Sequence, residues 1–211
     1  MGRPPTNTKL RLLETAHELI WRNSYGSVSV DGICEKANVK KGSFYHYFPS
    51  KADLAMASID WWMTNTIPFL DDIFSPSRHP INRFTLLIDF IYEKQEDMRI
   101  EFGQVCGCPF ITIGSELAAQ DEIIGAKISA ITQQKMTYYQ NALRDMIAMG
   151  LIDEKTNVEL KAEEIYAFIT GNMMLARIKN DLKFMKTSLK PSLMNLIGVE
   201  LSVEDLKKLT I

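Results

Sequence analysis

The stretch KKGSFYHYFPSK, Lys40 to Lys51, decides how the chain is read. It packs two adjacent lysines, a glycine, a serine, the rings of Phe44, Tyr45 and Tyr47 around His46, then Phe48, Pro49 and a third lysine. A helix that only fills a core keeps its polar residues on one face. These polar residues are not confined that way. Val39 and Phe44 can turn inward while Lys40, Lys41, Ser43, Tyr45 and His46 stay outside.

Working outward, SVDGICEKA (29–37) reads as a second short helix with Ser29 as its N-cap and Val30, Ile33 and Cys34 on its apolar side. Asn38 then stands where the chain must turn tightly, and asparagine tolerates the left-handed conformation. Two short helices joined by a tight turn form the helix-turn-helix arrangement, whose second helix enters the major groove of DNA. Before it, Leu10, Leu13, Ala16, His17 and Ile20 recur at helical spacing over 8–23, with Thr6 or Asn7 able to cap the start. After it, Ser50 can cap a helix over 51–67 that Pro68 should limit.

The rest of the chain also reads as helix. Breaks at 75–80, 103–109 and 150–157 set off helical stretches 81–98, 110–120, 121–149 and 160–185. A shorter helix is expected at 187–197, and Ser202 with Asp205 gives 202–209 a capping-box start. No strand alternation, repeat or low-complexity segment is visible. The predicted class is all-α: a three-helix DNA-binding domain over 6–66, with its motif at 29–48, and a larger helical domain over 67–211.

With 211 residues, 46% apolar and 24% charged, the chain fits one large domain or a small domain joined to a larger one. The net charge of −2 excludes a uniformly basic nucleic-acid binder. Residues 1–53 nevertheless carry eight Lys/Arg against five Asp/Glu, and residues 54–211 carry sixteen against twenty-one. A basic head on an acidic body suits a segment that faces phosphates. Neither a signal peptide nor a membrane span is visible, and three cysteines without a leader point to a reducing cytoplasm. Three scattered histidines, with no catalytic triad or nucleotide loop, argue against an enzyme.

Residues 8–60, and above all VKKGSFYHYFPSKADL (39–54), resemble the TetR/AcrR family of bacterial transcriptional regulators. Lysine, glycine, small hydroxyl, aromatic, tyrosine and phenylalanine followed by Ser-Lys is the distinctive order. Val28 stands where the family often has threonine, and Asn38 where it often has glycine. The resemblance implies a dimer on double-stranded operator DNA, at the nucleoid, with phosphates gripped at the positions of Tyr45 and Lys51. Ser29, Lys40, Lys41, Gly42, Ser43, Tyr45, His46 and Lys51 are the expected DNA contacts. Ser29 is placed for the backbone, and base discrimination falls mainly on Lys40, Lys41, Ser43 and His46. Lys41 and Gly42 begin the recognition helix, where amides and a cation favour phosphate.

The resemblance further implies a repressor released by a small lipophilic inducer in the C-terminal domain. Trp62, Met63, Phe90, Cys106, Cys108, Phe110, Phe168 and Met173 are the candidate lining, although core packing is the simpler account of any one of them. Tyr139, Leu143, Ile147, Phe168, Gly171 and Leu175 are the candidate dimer contacts. No cofactor, metal or membrane partner is expected. Cys106 and Cys108 alone make a poor zinc site, which wants four ligands. They leave a thiol- or redox-responsive regulator as an alternative, beside a tight turn with small buried thiols. A helical protein-binding module without DNA is the distant alternative, and it leaves the Lys40–Lys51 surface unexplained.

Overall fold

The computed structural model describes residues 7–119 and 121–200, and every regular element among them is helical. The elements are α1 (Thr8–Arg22), α2 (Val30–Lys36), α3 (Lys41–Tyr47), α4 (Lys51–Ile73), α5 (Pro80–Phe102), α6 (Pro109–Leu117), α7 (Glu122–Ala148), α8 (Val158–Lys179), α9 (Lys183–Thr187) and α10 (Leu189–Ile197). The helix expected over 202–209 lies outside the described residues.

Among the described residues two compact units form, one within 1–68 and 109–125 and the other within 69–108 and 126–211. The N-terminal unit therefore takes α6 in addition to α1, α2, α3 and the first part of α4.

In that unit, local chemistry sets the short helices. The Asn7 side chain accepts the Leu10 N–H, and Ser29 Oγ accepts the Gly32 N–H at 3.0 Å. Asn38 adopts φ 50°, which lets the Val39 N–H reach the Cys34 carbonyl at 2.9 Å and close the turn. Phe44 is completely buried, and with Leu12, Ala16, Ile33, Phe48 and Leu54 it forms the core under α3. Burying one such ring stabilises by roughly 2–3 kcal/mol. A seven-residue helix cannot hold itself together in water, so packing of this kind sustains it.

Pro68 does not limit α4, which runs on to Ile73. Met63, Thr66, Leu70 and Ile73 stay buried at helical spacing through it, while Pro68 itself is exposed. One lost backbone hydrogen bond is outweighed by a continuous buried stripe.

The helix expected over 160–185 is also corrected, because it breaks at Asn180. Asn180 takes φ 49°, and the Asp181 N–H turns back to the Ala176 carbonyl at 3.1 Å. Asp181 Oδ1 then accepts the Lys183 N–H at 2.8 Å and starts α9. In the second unit α10 packs on α8 and α5. Two buried cations are answered by carboxylates: Arg83, only 3% exposed, meets Asp145 at 2.5 Å, and Lys190 meets Asp89 at 2.6 Å. Removing either carboxylate would leave a buried cation without its counter-charge.

Candidate nucleic-acid interface and a buried polar cluster

Packing of α3 decides which of its side chains are free to act. Phe44 anchors the inner face, and Tyr45 leans edge-on to it at 5.1 Å. Tyr45 remains half exposed, and Ser29, Lys40, Lys41, Gly42 and His46 are exposed as well. Ser43 is half-buried. A Cβ built on Gly42 would meet nothing within 4 Å, so the backbone there is open to approach. The turn thus brings seven of the eight expected DNA contacts onto or beside α2 and α3.

Lys51 departs from that set. Its Nζ donates to the carbonyls of Tyr25 at 2.9 Å and Val28 at 2.8 Å, and lies 4.0 Å from the centre of the Tyr25 ring. Loss of water lowers its pKa, and the Glu116 carboxylate opposes that. The α1–α2 connection holds this amine, so the side chain expected on a phosphate braces the loop that carries Ser29. Glu116, on α6, accepts the Gly26 N–H of the same connection at 2.8 Å.

Lys41 is exposed but not alone. Its Nζ sits 2.7 Å from Asp31 Oδ1, and the hydrogen bond to Asp31 raises its pKa. Neither Asp31 nor Glu116 is legible in the motif. Their partners stand ten and ninety residues away, and only the folded chain brings each pair together.

The expected ligand lining divides between the two units. Trp62, Met63 and Phe110 belong to the first, where the Trp62 and Phe110 rings meet edge-on at 5.1 Å. His17 stacks on Trp62 at 5.8 Å and meets Trp21 edge-on at 5.1 Å. Part of His17 reaches solvent, but its Nε2 is buried without a hydrogen-bond partner. Burial holds its pKa down to about 4, so the ring is neutral at ordinary pH.

Phe90, Cys106, Cys108, Phe168 and Met173 lie in the second unit. Phe90 is half-buried and stacks on the exposed Phe69 at 5.9 Å. Met173 lies by the Cys106–Cys108 loop, its carbonyl oxygen 3.6 Å from where a Gly107 Cβ would be. Gly107 has φ 71° and is gripped by one side chain. Gln95 Oε1 accepts its N–H at 2.8 Å, and Gln95 Nε2 donates to its carbonyl at 3.0 Å. Arg177 donates to the Cys106 carbonyl at 2.9 Å, and Asn180 Oδ1 accepts the Val105 N–H at 2.8 Å.

Both cysteines of that loop are buried, and neither forms a disulfide among the described residues. Cys108 is near enough to Lys135, Tyr139 and Tyr166 to act on the charge of each. Loss of water lowers the Lys135 pKa, raises that of Tyr139, and pushes Tyr166 up to about 12. Thr132 and Tyr166 share a hydrogen bond at 3.2 Å across α7 and α8. Lys135, Tyr166 and Thr132 are absent from the expected lining. Their spacing on α7 and α8 signals a helix face but not what that face meets.

The expected dimer contacts separate by exposure. Tyr139 and Leu143, 4% and 0% exposed, are a correction: they lie in the protomer's own core. Ile128, Ile131, Tyr139, Ala142, Leu143 and Met146 form the buried stripe of α7, and that stripe claims them. Ile147 and Phe168 are half-buried, whereas Gly171 and Leu175 face outward. Among the described residues no helix is long and apolar enough to cross a membrane, and no group of His, Cys, Asp and Glu is placed to hold a metal.

A buried-anchor helix with an exposed basic and aromatic face, joined to a larger helical unit, defines a DNA-binding regulator. Residues 12–57 match the family described as bacterial regulatory proteins, tetR family, and residues 89–190 match the tetracyclin repressor-like C-terminal domain, so the chain belongs to the TetR family of transcriptional regulators. A relative from Lactococcus lactis, an uncharacterised HTH-type transcriptional regulator in the lacX 3′ region, is 27% identical over 86% of this chain and 89% of its own. The crystal structure of a regulatory protein TetR from Rhodobacter sphaeroides shares 25% identity with a TM-score of 0.77, covering 92% of this chain and 98% of that one. A cysteine mutant of CifR, complexed with 26-base-pair double-strand operator DNA, shares the fold at TM-score 0.74 and 18% identity, over 93% and 98% of the two chains.

Proposed function

We propose that this regulator works as a homodimer that represses from a two-fold operator and leaves it when a small lipophilic ligand enters the second unit. The observation that carries the reading is the exposed apolar row on α8. Leu160, Ala167, Gly171, Leu175 and Ile178 face outward at helical spacing, with Leu175 50% and Ile178 73% exposed. A Cβ at Gly171 would meet nothing within 4 Å, so another backbone can approach there. Beside this row a groove of about 520 Å³ is lined by Leu175, Phe184 and Met185. An apolar row of this length, left open to water, suits a second copy of the same helix.

One recognition helix buries too little surface for tight specific binding, so a dimer that presents two of them to successive major grooves answers that need. Ser29, Lys40, Lys41, Gly42, Ser43, Tyr45 and His46 supply the DNA face. Ligand and DNA then oppose each other through one coupling free energy. The operator is obtained by selecting duplexes from a random pool with the full-length protein. Leu175→Asp is expected to leave the protomer folded, give monomers in sedimentation, and erase the footprint. A variant that stays dimeric overturns the α8 interface. A lipophilic panel is expected to contain compounds that remove the footprint; unchanged footprints throughout would favour a constitutive binder.

A thiol-responsive regulator is the second reading, favoured by the position of Cys108 among Lys135, Tyr139 and Tyr166. Release from the operator by N-ethylmaleimide in the parent, but not in Cys108→Ser, would carry it over the first.

A further inference from the structure

Asp31 is exposed on the first turn of α2, and its carboxylate holds the Lys41 ammonium at 2.7 Å. The side chains of Lys41 and Asp31 keep 54% and 73% of their surface in water. An ion pair in that setting adds little to stability, because solvent and salt screen it. Its position matters more than its strength. It joins the first turn of α2 to the first residue of α3, and Tyr45 lies near enough to Lys41 to act on its charge. Each phosphate that approaches there meets a carboxylate already holding the lysine.

We infer that Asp31 is a specificity-determining residue: it competes with DNA phosphates for Lys41 and so suppresses binding to unspecific duplex. This rests on the reading that the α2–α3 face meets DNA. Discrimination between partners is often built from a repulsive element. On random sequence, Lys41 gains a phosphate only by giving up Asp31, and Asp31 is left facing a polyanion. On the operator, the remaining contacts of a fully seated α3 compensate for that loss. Unspecific binding is almost wholly electrostatic, so it feels the competition most. Asp31→Asn keeps the shape of the side chain and removes its charge.

The experiment measures anisotropy of a random-sequence duplex and of the selected operator between 50 and 200 mM salt. It uses the full-length parent, Asp31→Asn, Lys41→Gln and the double variant. One extra phosphate contact steepens the log–log salt slope by about 0.9 and is worth about threefold in affinity over that salt range. Asp31→Asn is expected to tighten the random duplex, by about threefold more at 50 mM than at 200 mM salt, and to tighten the operator less. In the Lys41→Gln background the gain should fall to under half. The same gain with and without Lys41, or equal tightening on both duplexes, overturns the proposal. Operator affinity that is identical in Lys41→Gln and the parent means Lys41 does not face DNA, and the proposal falls with that contact. Asp31→Ser, which also removes the charge, repeats the test should Asn lower the thermal midpoint.

Discussion

The α2–α3 face and the Cys106–Cys108 loop both concentrate polar chemistry, and they place it oppositely. The first has its hydrophobic anchors beneath and its cations outside, so a partner can take its groups with little change of fold. The second turns its thiols, amide and backbone groups inward, where each must find a protein partner. Lys41 and Lys51 repeat the contrast within one unit. Lys41 is held by a single exposed carboxylate, and Lys51 by two carbonyls and a ring. Proximity to DNA in sequence therefore does not decide availability; the strength of the local alternative does.

The largest effect expected from breaking the comparison comes from the inward side. Gln95 is 1% exposed and holds both polar groups of Gly107. Gln95→Leu removes both of these buried hydrogen bonds from the loop backbone, which costs about 3 kcal/mol. Urea unfolding checks this, as a lower midpoint with an unchanged slope. A loss under about 1 kcal/mol would mean the loop finds new partners readily, and the contrast would blur.

On the outward side the same kind of deletion should spare the fold. Lys41→Gln with Tyr45→Phe is expected to weaken operator binding roughly a hundredfold, with the unfolding midpoint nearly unmoved. Anisotropy and thermal denaturation on one preparation decide it. Comparable damage to stability would show that these side chains belong to the core rather than to a partner.

His17 tests a case between the two, since its ring is partly accessible while its Nε2 is buried. Its folded pKa of about 4 lies below the unfolded value near 6.5, so the unfolded chain takes up the proton first. The contribution to stability is complete above pH 6.5 and declines as pH falls toward 4. Between pH 7 and pH 5 the loss is about 2 kcal/mol. His17→Leu should remove that much of the pH dependence, whatever it does to stability at pH 7. An unchanged slope of stability against pH would place the acid sensitivity elsewhere.

Much of the outward site was legible in the sequence because its causes are local. Ser29 caps three residues on, Asn38 turns left-handed where it stands, and the aromatic order around Phe44 follows from helical spacing. The family resemblance rests on the same short-range features. Lys51 shows the limit: its partners lie 23 and 26 residues back, and nothing in its own neighbourhood announces them. Pro68 misled because a single residue's backbone penalty is visible in sequence, whereas the buried stripe that outweighs it is not. In the second unit, the long helices share apolar residues among several faces. Periodicity identified α7, but it did not say that Tyr139 and Leu143 serve the protomer itself.

The smallest expected effect is the sharpest, because Ser29 stands on both sides of the comparison. Its Oγ already accepts the Gly32 N–H at 3.0 Å, yet the residue is exposed on the face proposed for DNA. Ser29→Ala removes the cap and costs about 1 kcal/mol of stability. Ser29→Asp keeps a cap of equal quality and places a negative charge near the helix N-terminus, which favours the fold. The same charge repels phosphate. Asp at this position should therefore hold the thermal midpoint of the parent while losing operator affinity, and Ala should lose stability first. If Asp binds the operator as tightly as the parent does, Ser29 is a cap alone, and the DNA-facing surface begins at α3.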